Sequence, residues 1–199
     1  MENPYILHMF SPTNNISPFD VNMAADAGFD VIVPYTDLDL TPQGEEQAKA
    51  LRSKLDPSEF GLVLTSPRTR ARHTAELAGF TDYEVTDDLQ EWNYGDYEGK
   101  TSLEIREKYH PGWRLWFNGV PNGESADQVR ERLSRVVRRV RESGVDKAIC
   151  FGHGHASRVL ALCWLDFPLI FGQAFPVEVA SLSILGREKE SWAVLRWNS

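Results

Sequence analysis

Three groups of residues could together bind a phosphate-like anion. The first is the segment VLTSPRTRARHTAE at residues 63–76, in which Arg68, Arg70 and Arg72 follow a predicted strand and Ser66-Pro67. A strand-to-helix junction exposes backbone N–H groups and the positive end of the helix dipole, and a guanidinium there can bind two phosphate oxygens. Alternating arginines are also typical of a solvated helix face, so this segment alone leaves both interpretations open.

The second group is FGHGHASR at residues 151–158, directly after another predicted strand. Glycines on both sides of His153 let the backbone approach a ligand closely, and the imidazole could donate a hydrogen bond to phosphoryl oxygens. A simple turn residue is one alternative. A metal site shared with His155 is another, but no third and fourth ligand follow at a sensible spacing, so no metal is expected.

The third group surrounds Glu91 in the segment DDLQEWNYGDYEG at residues 87–99. Partial burial among the aromatic residues would raise the pKa of this carboxyl and keep a proton available for a leaving alkoxide. An ordinary acidic loop is the alternative. Further along, NGES at residues 122–125 opens a long amphipathic pattern, where Ser125 could bind near the anion or simply cap the helix.

The elements that must position these groups alternate between strands and helices, which predicts an α/β fold of three layers. Caps followed by proline indicate helices that begin after Ser17 and after Thr41. Apolar runs predict strands at residues 5–10, 30–35, 61–65 and 147–151, and a final hairpin at residues 180–185 and 192–197.

Composition narrows the class of protein. The chain has 199 residues and a formal net charge of −8, which argues against a nucleic-acid partner. It carries no signal-peptide pattern and no apolar run long enough to span a membrane, so a cytoplasmic protein without a membrane partner is expected. Cys150 and Cys163 lie in apolar runs and are predicted to be buried thiols. Oligomeric state cannot be predicted from these features.

The order and spacing of these motifs over residues 36–198 resemble the histidine phosphatase (phosphoglycerate mutase-like) superfamily, closest to its sedoheptulose-bisphosphatase-like branch. The resemblance implies a three-layer α/β/α sandwich and a phosphoric monoester hydrolase that acts on a small phosphate, such as a sugar phosphate, without a cofactor. By its motifs, Arg70 and His153 correspond to phosphate-binding residues and Glu91 to the general acid, with Ser125 as a further contact. His155 follows the pattern of a subgroup that acts on sugar phosphates.

The nucleophile of that family is missing from its expected place. In the family an Arg-His-Gly-Glu stretch supplies it, roughly twenty residues before the Leu-Thr pair that corresponds here to Leu40-Thr41. Residues 19–22 contain no histidine. His8, which lies between Leu7 and Met9, is the sole N-terminal candidate, and its alternative is an ordinary strand residue. The second functional hypothesis is therefore a catalytically inactive phosphoester-binding protein.

Residues 5–36 resemble a different family, the N-terminus of methylene-tetrahydromethanopterin dehydrogenases. The chain has no G-x-G-x-x-G dinucleotide loop, so a one-carbon dehydrogenase is only a weak third hypothesis. We therefore expect two regions. Residues 1–36 form an atypical N-terminal segment of strand, helix and strand, and residues 37–199 form the histidine phosphatase domain.

Overall fold

A mixed sheet of six strands forms the centre of the computed structural model, which describes the backbone of residues 6–11 and all atoms of residues 37–199. The predicted helix after Ser17 and the predicted strand at residues 30–35 lie outside the described residues. The strands are β1 (Ile6–Ser11), β2 (Leu62–Thr65), β3 (Glu84–Val85), β4 (Lys147–Phe151), β5 (Ser181–Glu188) and β6 (Ser191–Arg196). Their order across the sheet is β3-β2-β4-β1-β5-β6.

Helices connect and cover these strands. The α-helices are α1 (Pro42–Ala50), α2 (Thr69–Leu77), α3 (Ser102–Lys108), α4 (Leu115–Asn118), α5 (Ala126–Glu142) and α6 (Gly154–Leu165). Short 3₁₀ turns occur at Leu51–Ser53, Pro57–Glu59, Asp87–Leu89, Gly95–Tyr97 and Leu169–Ala174.

The predicted helix caps explain where two helices begin. Thr41 accepts a hydrogen bond from the Gly44 N–H at 3.1 Å ahead of Pro42, as the sequence predicts for α1. The long amphipathic helix α5 starts at Ala126 rather than at residue 122, because Asn122 adopts a positive φ of 56° that no right-handed helix accommodates.

Apolar side chains cover both faces of the sheet. Alternate residues of β4 belong to different cores: Ala148 and Cys150 pack on one side, Ile149 and Phe151 on the other. The first core includes residues of α5 and α6, and the second includes residues of α2. Burial on both faces is typical of parallel strands covered by helices, and it confirms the predicted α/β class. Cys150 and Cys163 are buried free thiols, as predicted.

Parallel pairing brings the carboxyl ends of three strands to one edge of the sheet. Thr65 of β2 and Phe10 of β1 both pair with Phe151 of β4. Arg70, in the first turn of α2, and His153, just before α6, follow β2 and β4 directly, so neighbouring strands deliver both predicted site residues to the same edge. On its other side β1 pairs antiparallel with β5, which gives it a central position in the sheet.

Candidate active site

His153 connects the two strand–helix junctions. It is fully buried and occupies the N-cap position of α6, and its Nε2 lies 2.8 Å from the hydroxyl oxygen of Ser66 at the end of β2. The backbone N–H of Ser66 in turn donates to the Phe151 carbonyl at 2.9 Å. The start of α6 is therefore held directly against the start of the Arg70 segment.

The imidazole of His153 is neutral in this environment. Burial lowers its pKa well below the usual value, and the nearby positive charges of Arg70, Arg68 and Arg132 add to that effect. Its Nδ1 is buried and has no hydrogen-bond partner among the described residues. When the Ser66 hydroxyl donates to Nε2, Nδ1 carries the proton. A buried donor of this kind costs free energy until an acceptor such as an oxyanion binds to it.

Arg70 lies in the first turn of α2 and is only 2% exposed. Burial lowers the pKa of its guanidinium, and the negative charge of Glu91 acts in the opposite direction. Arg70 also acts electrostatically on His153. The structure thus places Arg70 within electrostatic range of both Glu91 and His153, although the three residues come from separate parts of the chain.

Glu91 is buried and its carboxyl caps α6. Oε1 accepts from the N–H groups of Trp92 at 2.8 Å and Ala156 at 2.9 Å, and Oε2 accepts from His155 N–H at 3.1 Å. Burial raises the pKa of Glu91, while these three hydrogen bonds and Arg70 oppose the shift. Its burial is more complete than the sequence predicted, since backbone groups as well as aromatic rings surround the carboxyl.

His155 belongs to an aromatic wall beside this carboxyl. Its Nδ1 lies 2.7 Å from the Tyr94 hydroxyl, and its ring packs against Trp116 of α4 at a centroid distance of 5.7 Å. The guanidinium of Arg158 stacks over Trp116 at 4.9 Å. Burial, with a smaller effect from Arg158, lowers the pKa of His155 to about 3, so this histidine is neutral.

Sequence reasoning missed one residue of this region, Arg132. It is a buried arginine of α5 whose guanidinium binds the Glu124 carboxylate and the carbonyl oxygens of Asp88, Gln90 and Glu91. Its spacing carries a signal that the sequence analysis did not use, because Arg132 lies three residues after Val129 and four before Val136, on the apolar face of the helix. Its partners in the Glu91 segment are revealed only by the packing of α5 against that segment.

No described side-chain contact joins the predicted site residues Ser125 and His8 to the other three. The Ser125 hydroxyl accepts from the Gln128 N–H at 3.2 Å and caps α5, and no described hydrogen bond joins it to Arg70, Glu91 or His153. For His8 only the backbone is described. It pairs with Ile149, which precedes His153 by four residues. Both site assignments stay predictions.

Two further kinds of site are absent from the described residues. No helix of residues 37–199 combines the length and apolarity needed to cross a bilayer. These residues also contain no group of three or more histidine, cysteine or acidic side chains arranged to hold a metal ion.

The N-terminal segment matches a known protein of another family. Over 36 residues the chain is 64% identical to the NAD(P)-dependent methylenetetrahydromethanopterin dehydrogenase of Methylorubrum extorquens. That match covers 18% of this chain and only 12% of the dehydrogenase. It confirms the predicted resemblance and is confined to the start of the chain.

The rest of the chain matches phosphatases. It is 40% identical over 156 residues to an acid phosphatase of Mycobacterium tuberculosis, which covers 77% of this chain and 76% of that protein. It is 37% identical over 161 residues to the sedoheptulose 1,7-bisphosphatase of Saccharomyces cerevisiae, covering 65% of this chain and 59% of the yeast protein. The solved structure of the Mycobacterium tuberculosis open reading frame Rv3214 superimposes with a TM-score of 0.80 at 33% identity, over 97% of this chain and 95% of its own. Residues 30–199 match the family profile of the histidine phosphatase superfamily (branch 1), and the chain therefore belongs to that superfamily.

Proposed function

We propose that this protein is a phosphoric monoester hydrolase of the histidine phosphatase type that acts on a small phosphate, such as a sugar phosphate. Arg70 and the Nδ1–H of His153 would bind the phosphoryl oxygens. Glu91 would protonate the oxygen of the leaving alcohol. The relatives named acid phosphatase and sedoheptulose 1,7-bisphosphatase support a phosphate monoester as the substrate class.

The observation that carries this proposal is the pairing of buried donors with a buried acid. Arg70 and His153 are almost inaccessible to water, and the Nδ1 of His153 has no partner among residues 37–199. A buried N–H group without an acceptor, such as that of His153, is costly until an anion binds to it. A phosphoryl dianion would accept hydrogen bonds from His153 and Arg70, and in a low-dielectric setting such bonds are stronger than in water.

The chemistry would proceed by covalent catalysis. An imidazole nitrogen attacks phosphorus, the bond from phosphorus to the leaving oxygen breaks, and Glu91 transfers its proton to that oxygen. Water then attacks the phosphohistidine, and Glu91 recovers a proton from it. His8 is the candidate nucleophile, and its assignment rests on its position in β1 alone.

A second candidate function is phosphoester binding without turnover. The pairing of His8 with Ile149 favours it, because His153 lies four residues further along the chain and beyond the end of β4 at Phe151, or about 13 Å away at roughly 3.3 Å per extended residue. A nucleophile must approach phosphorus to about 3–3.5 Å. Loss of the nucleophile would leave only the small acceleration that binding and acid catalysis provide.

Turnover and binding assays separate the two candidates. Wild type, His8→Ala and Arg70→Ala are incubated with p-nitrophenyl phosphate and a panel of sugar phosphates, and the thermal stabilisation by inorganic phosphate and vanadate is measured in parallel. Arg138→Ala, an exposed arginine of α5, is the matched control. Turnover that disappears in His8→Ala supports the hydrolase with His8 as nucleophile.

The remaining outcomes are equally distinct. Stabilisation by vanadate that Arg70→Ala removes, without turnover in wild type, supports the binding protein. If wild type shows no turnover and no thermal stabilisation by either anion, both functions are contradicted. A nicotinamide cofactor that stabilises the protein would instead revive the dehydrogenase hypothesis, for which the 36-residue match is the only support.

A further inference from the structure

The guanidinium of Arg132 uses all of its N–H groups within the fold. Nε donates to Glu124 Oε1 at 2.8 Å, and Nη2 donates to Glu124 Oε2 at 3.0 Å. Nη1 donates to the carbonyl oxygens of Asp88 at 2.9 Å and Gln90 at 2.7 Å. The second N–H of Nη2 donates to the carbonyl of Glu91 at 3.2 Å. An arginine has five N–H donors, so none of them is left over for solvent.

Glu124 holds the same loop from the other side of Glu91. Its Oε2 accepts from the Asn93 N–H at 2.9 Å, and its own N–H donates to the Asn93 carbonyl at 2.9 Å. Its carbonyl accepts from the Trp92 indole N–H at 2.9 Å. The neighbouring Gly123 lies so close to Asn93 O that a Cβ there would collide with it. The backbone on both sides of Glu91 is therefore fixed by one ion pair.

We propose that Arg132, with Glu124 as its counter-ion, is a positioning residue that holds the Glu91 carboxyl in the phosphate site. This inference rests on the proposed function, because it assigns Arg132 a role through Glu91. The guanidinium contacts the main chain at Glu91, so a shift of this ion pair would move the carboxyl away from α6. Arg132 acts on His153 only through its charge and makes no described hydrogen bond with His153 or Arg70, so it would not touch the phosphate itself.

A neighbouring arginine provides the matched comparison. Arg135 lies one turn further along α5 and contacts the same loop, but it binds the Asp88 carboxylate at 2.6 Å and 3.1 Å rather than the backbone. It is exposed, whereas Arg132 is buried. The two residues share helix, charge and loop, and differ in whether they fix the backbone that carries Glu91.

The state of Glu91 can be read from the pH dependence of anion binding. Its charged and titratable neighbours are Arg70 from α2, Tyr94 in the same loop, His155 at the start of α6, and the pair of Arg132 from α5 and Glu124. A dianion bound beside Glu91 favours its protonated form. Affinity for the anion therefore falls as pH rises through the pKa of Glu91. Sulfate suits this measurement because its charge stays constant from about pH 5 to about pH 8.

The experiment measures sulfate affinity by calorimetry at several pH values in this range for the full-length chain. We compare wild type with Glu91→Gln, Arg132→Lys, Arg135→Lys and the double variant Glu91→Gln/Arg132→Lys. The contribution of Glu91 is the part of the pH dependence of sulfate affinity that Glu91→Gln removes. Each unit by which bound sulfate raises the pKa of Glu91 corresponds to a change of about tenfold in sulfate affinity. Arg132→Lys should remove most of this part while affinity near pH 5 stays within about threefold of wild type.

Two further results define the proposal. Arg135→Lys should keep the wild-type pH dependence, and in the Glu91→Gln background Arg132→Lys should have no further effect on it, since coupled residues are not additive. A wild-type pH dependence in Arg132→Lys, or an additive effect in the double variant, overturns the role. Glu124→Gln, which preserves shape, replaces Arg132→Lys if the latter fails to fold by circular dichroism.

If wild type binds no sulfate at any pH, the proposed function is contradicted. The positioning role of Arg132 is then tested by measuring the pKa of Glu91 directly. The carboxyl carbon of Glu91, labelled with carbon-13 and assigned by its loss in Glu91→Gln, is then titrated by NMR. Arg132→Lys should return the pKa of Glu91 toward its ordinary value, and Arg135→Lys should not. An unchanged titration in Arg132→Lys overturns the inference.

Discussion

The helices α2 and α6 both have free backbone N–H groups in their first turn, and in both helices a carboxylate from elsewhere in the chain accepts hydrogen bonds from them. Each follows a parallel strand, and each begins at a residue whose side chain makes no capping hydrogen bond, Arg68 in α2 and His153 in α6. Each helix instead receives a carboxylate from a distant segment. Asp37 accepts from Thr69 N–H at 2.7 Å, and Glu91 accepts from the first N–H groups of α6.

The difference between the two carboxylates is burial. Asp37 is exposed and also accepts from the Thr69 hydroxyl at 2.9 Å, so it acts as a solvated cap. Glu91 is 4% exposed, and burial raises its pKa. The same hydrogen-bonding pattern therefore gives a structural cap at one helix and a carboxyl able to hold a proton at the other. Exposure, rather than hydrogen-bond geometry, distinguishes a cap from an acid.

The largest contrast is expected in turnover. Glu91→Gln should lower the turnover of a sugar phosphate by about 100-fold or more, because the leaving alkoxide loses its proton donor. It should affect p-nitrophenyl phosphate much less, since nitrophenolate leaves without protonation. Asp37→Asn should change neither rate by more than about twofold. Steady-state kinetics with both substrates measure this, and equal losses with both substrates would contradict the role of Glu91 as an acid.

The next contrast concerns stability around Glu91. Glu124→Ala leaves the buried guanidinium of Arg132 without its counter-ion and should lower the free energy of unfolding by about 3–5 kcal/mol. The control is Glu131→Ala, which removes an exposed partner of Arg135 and should cost less than about 1 kcal/mol. Urea denaturation gives both values. Similar losses for the two variants would show that the buried ion pair contributes no more to the free energy of unfolding than the exposed one.

The exposed cap should have a smaller effect. Asp37→Ala removes the acceptor for the first N–H of α2 and should lower the free energy of unfolding by about 1 kcal/mol. Amide hydrogen exchange should increase in the first turn of α2 and stay unchanged in α6. Increased exchange in α6 would mean that the two helices are not capped independently.

The smallest expected effect is a slope in stability with pH. Because the pKa of Glu91 is raised in the folded protein, the unfolded chain releases its proton first as pH increases. The free energy of unfolding should therefore fall as pH rises from the ordinary pKa of 4.5 through the raised value. Urea midpoints measured across this window should show the fall in wild type and its absence in Glu91→Gln. The same slope in both proteins would assign it to other groups.

Local signals predicted much of this architecture. The cap at Thr41, the strands that lead into Arg70 and His153 and the final hairpin could be predicted because neighbouring residues determine them. The cap of α6 by Glu91 and the partners of Arg132 in the Glu91 segment could not. Both depend on contacts between residues more than forty positions apart, and a single sequence contains no local pattern that specifies such pairs.

The candidate site depends on the family motifs. These motifs predict Arg70, Glu91 and His153 as site residues, and in the structure Arg70 lies within electrostatic range of the other two. The role of Ser125 was ambiguous from sequence because a serine before a helix can cap it or bind a ligand. In the structure it caps α5 by accepting from Gln128 N–H, and its contact with a ligand stays a prediction. The nucleophile is undecided because its segment resembles another family.

The position of β1 explains how an N-terminal segment that resembles another family can be part of this fold. β1 joins the parallel strands β3, β2 and β4 to the antiparallel pair β5 and β6. The hydrogen bonds between neighbouring strands are made by main-chain groups, so the position of β1 in the sheet requires an extended chain rather than a particular set of side chains. A replacement can thus preserve the architecture and discard the reactive imidazole. A protein that begins at residue 37 would instead present two open strand edges, and we expect it to self-associate.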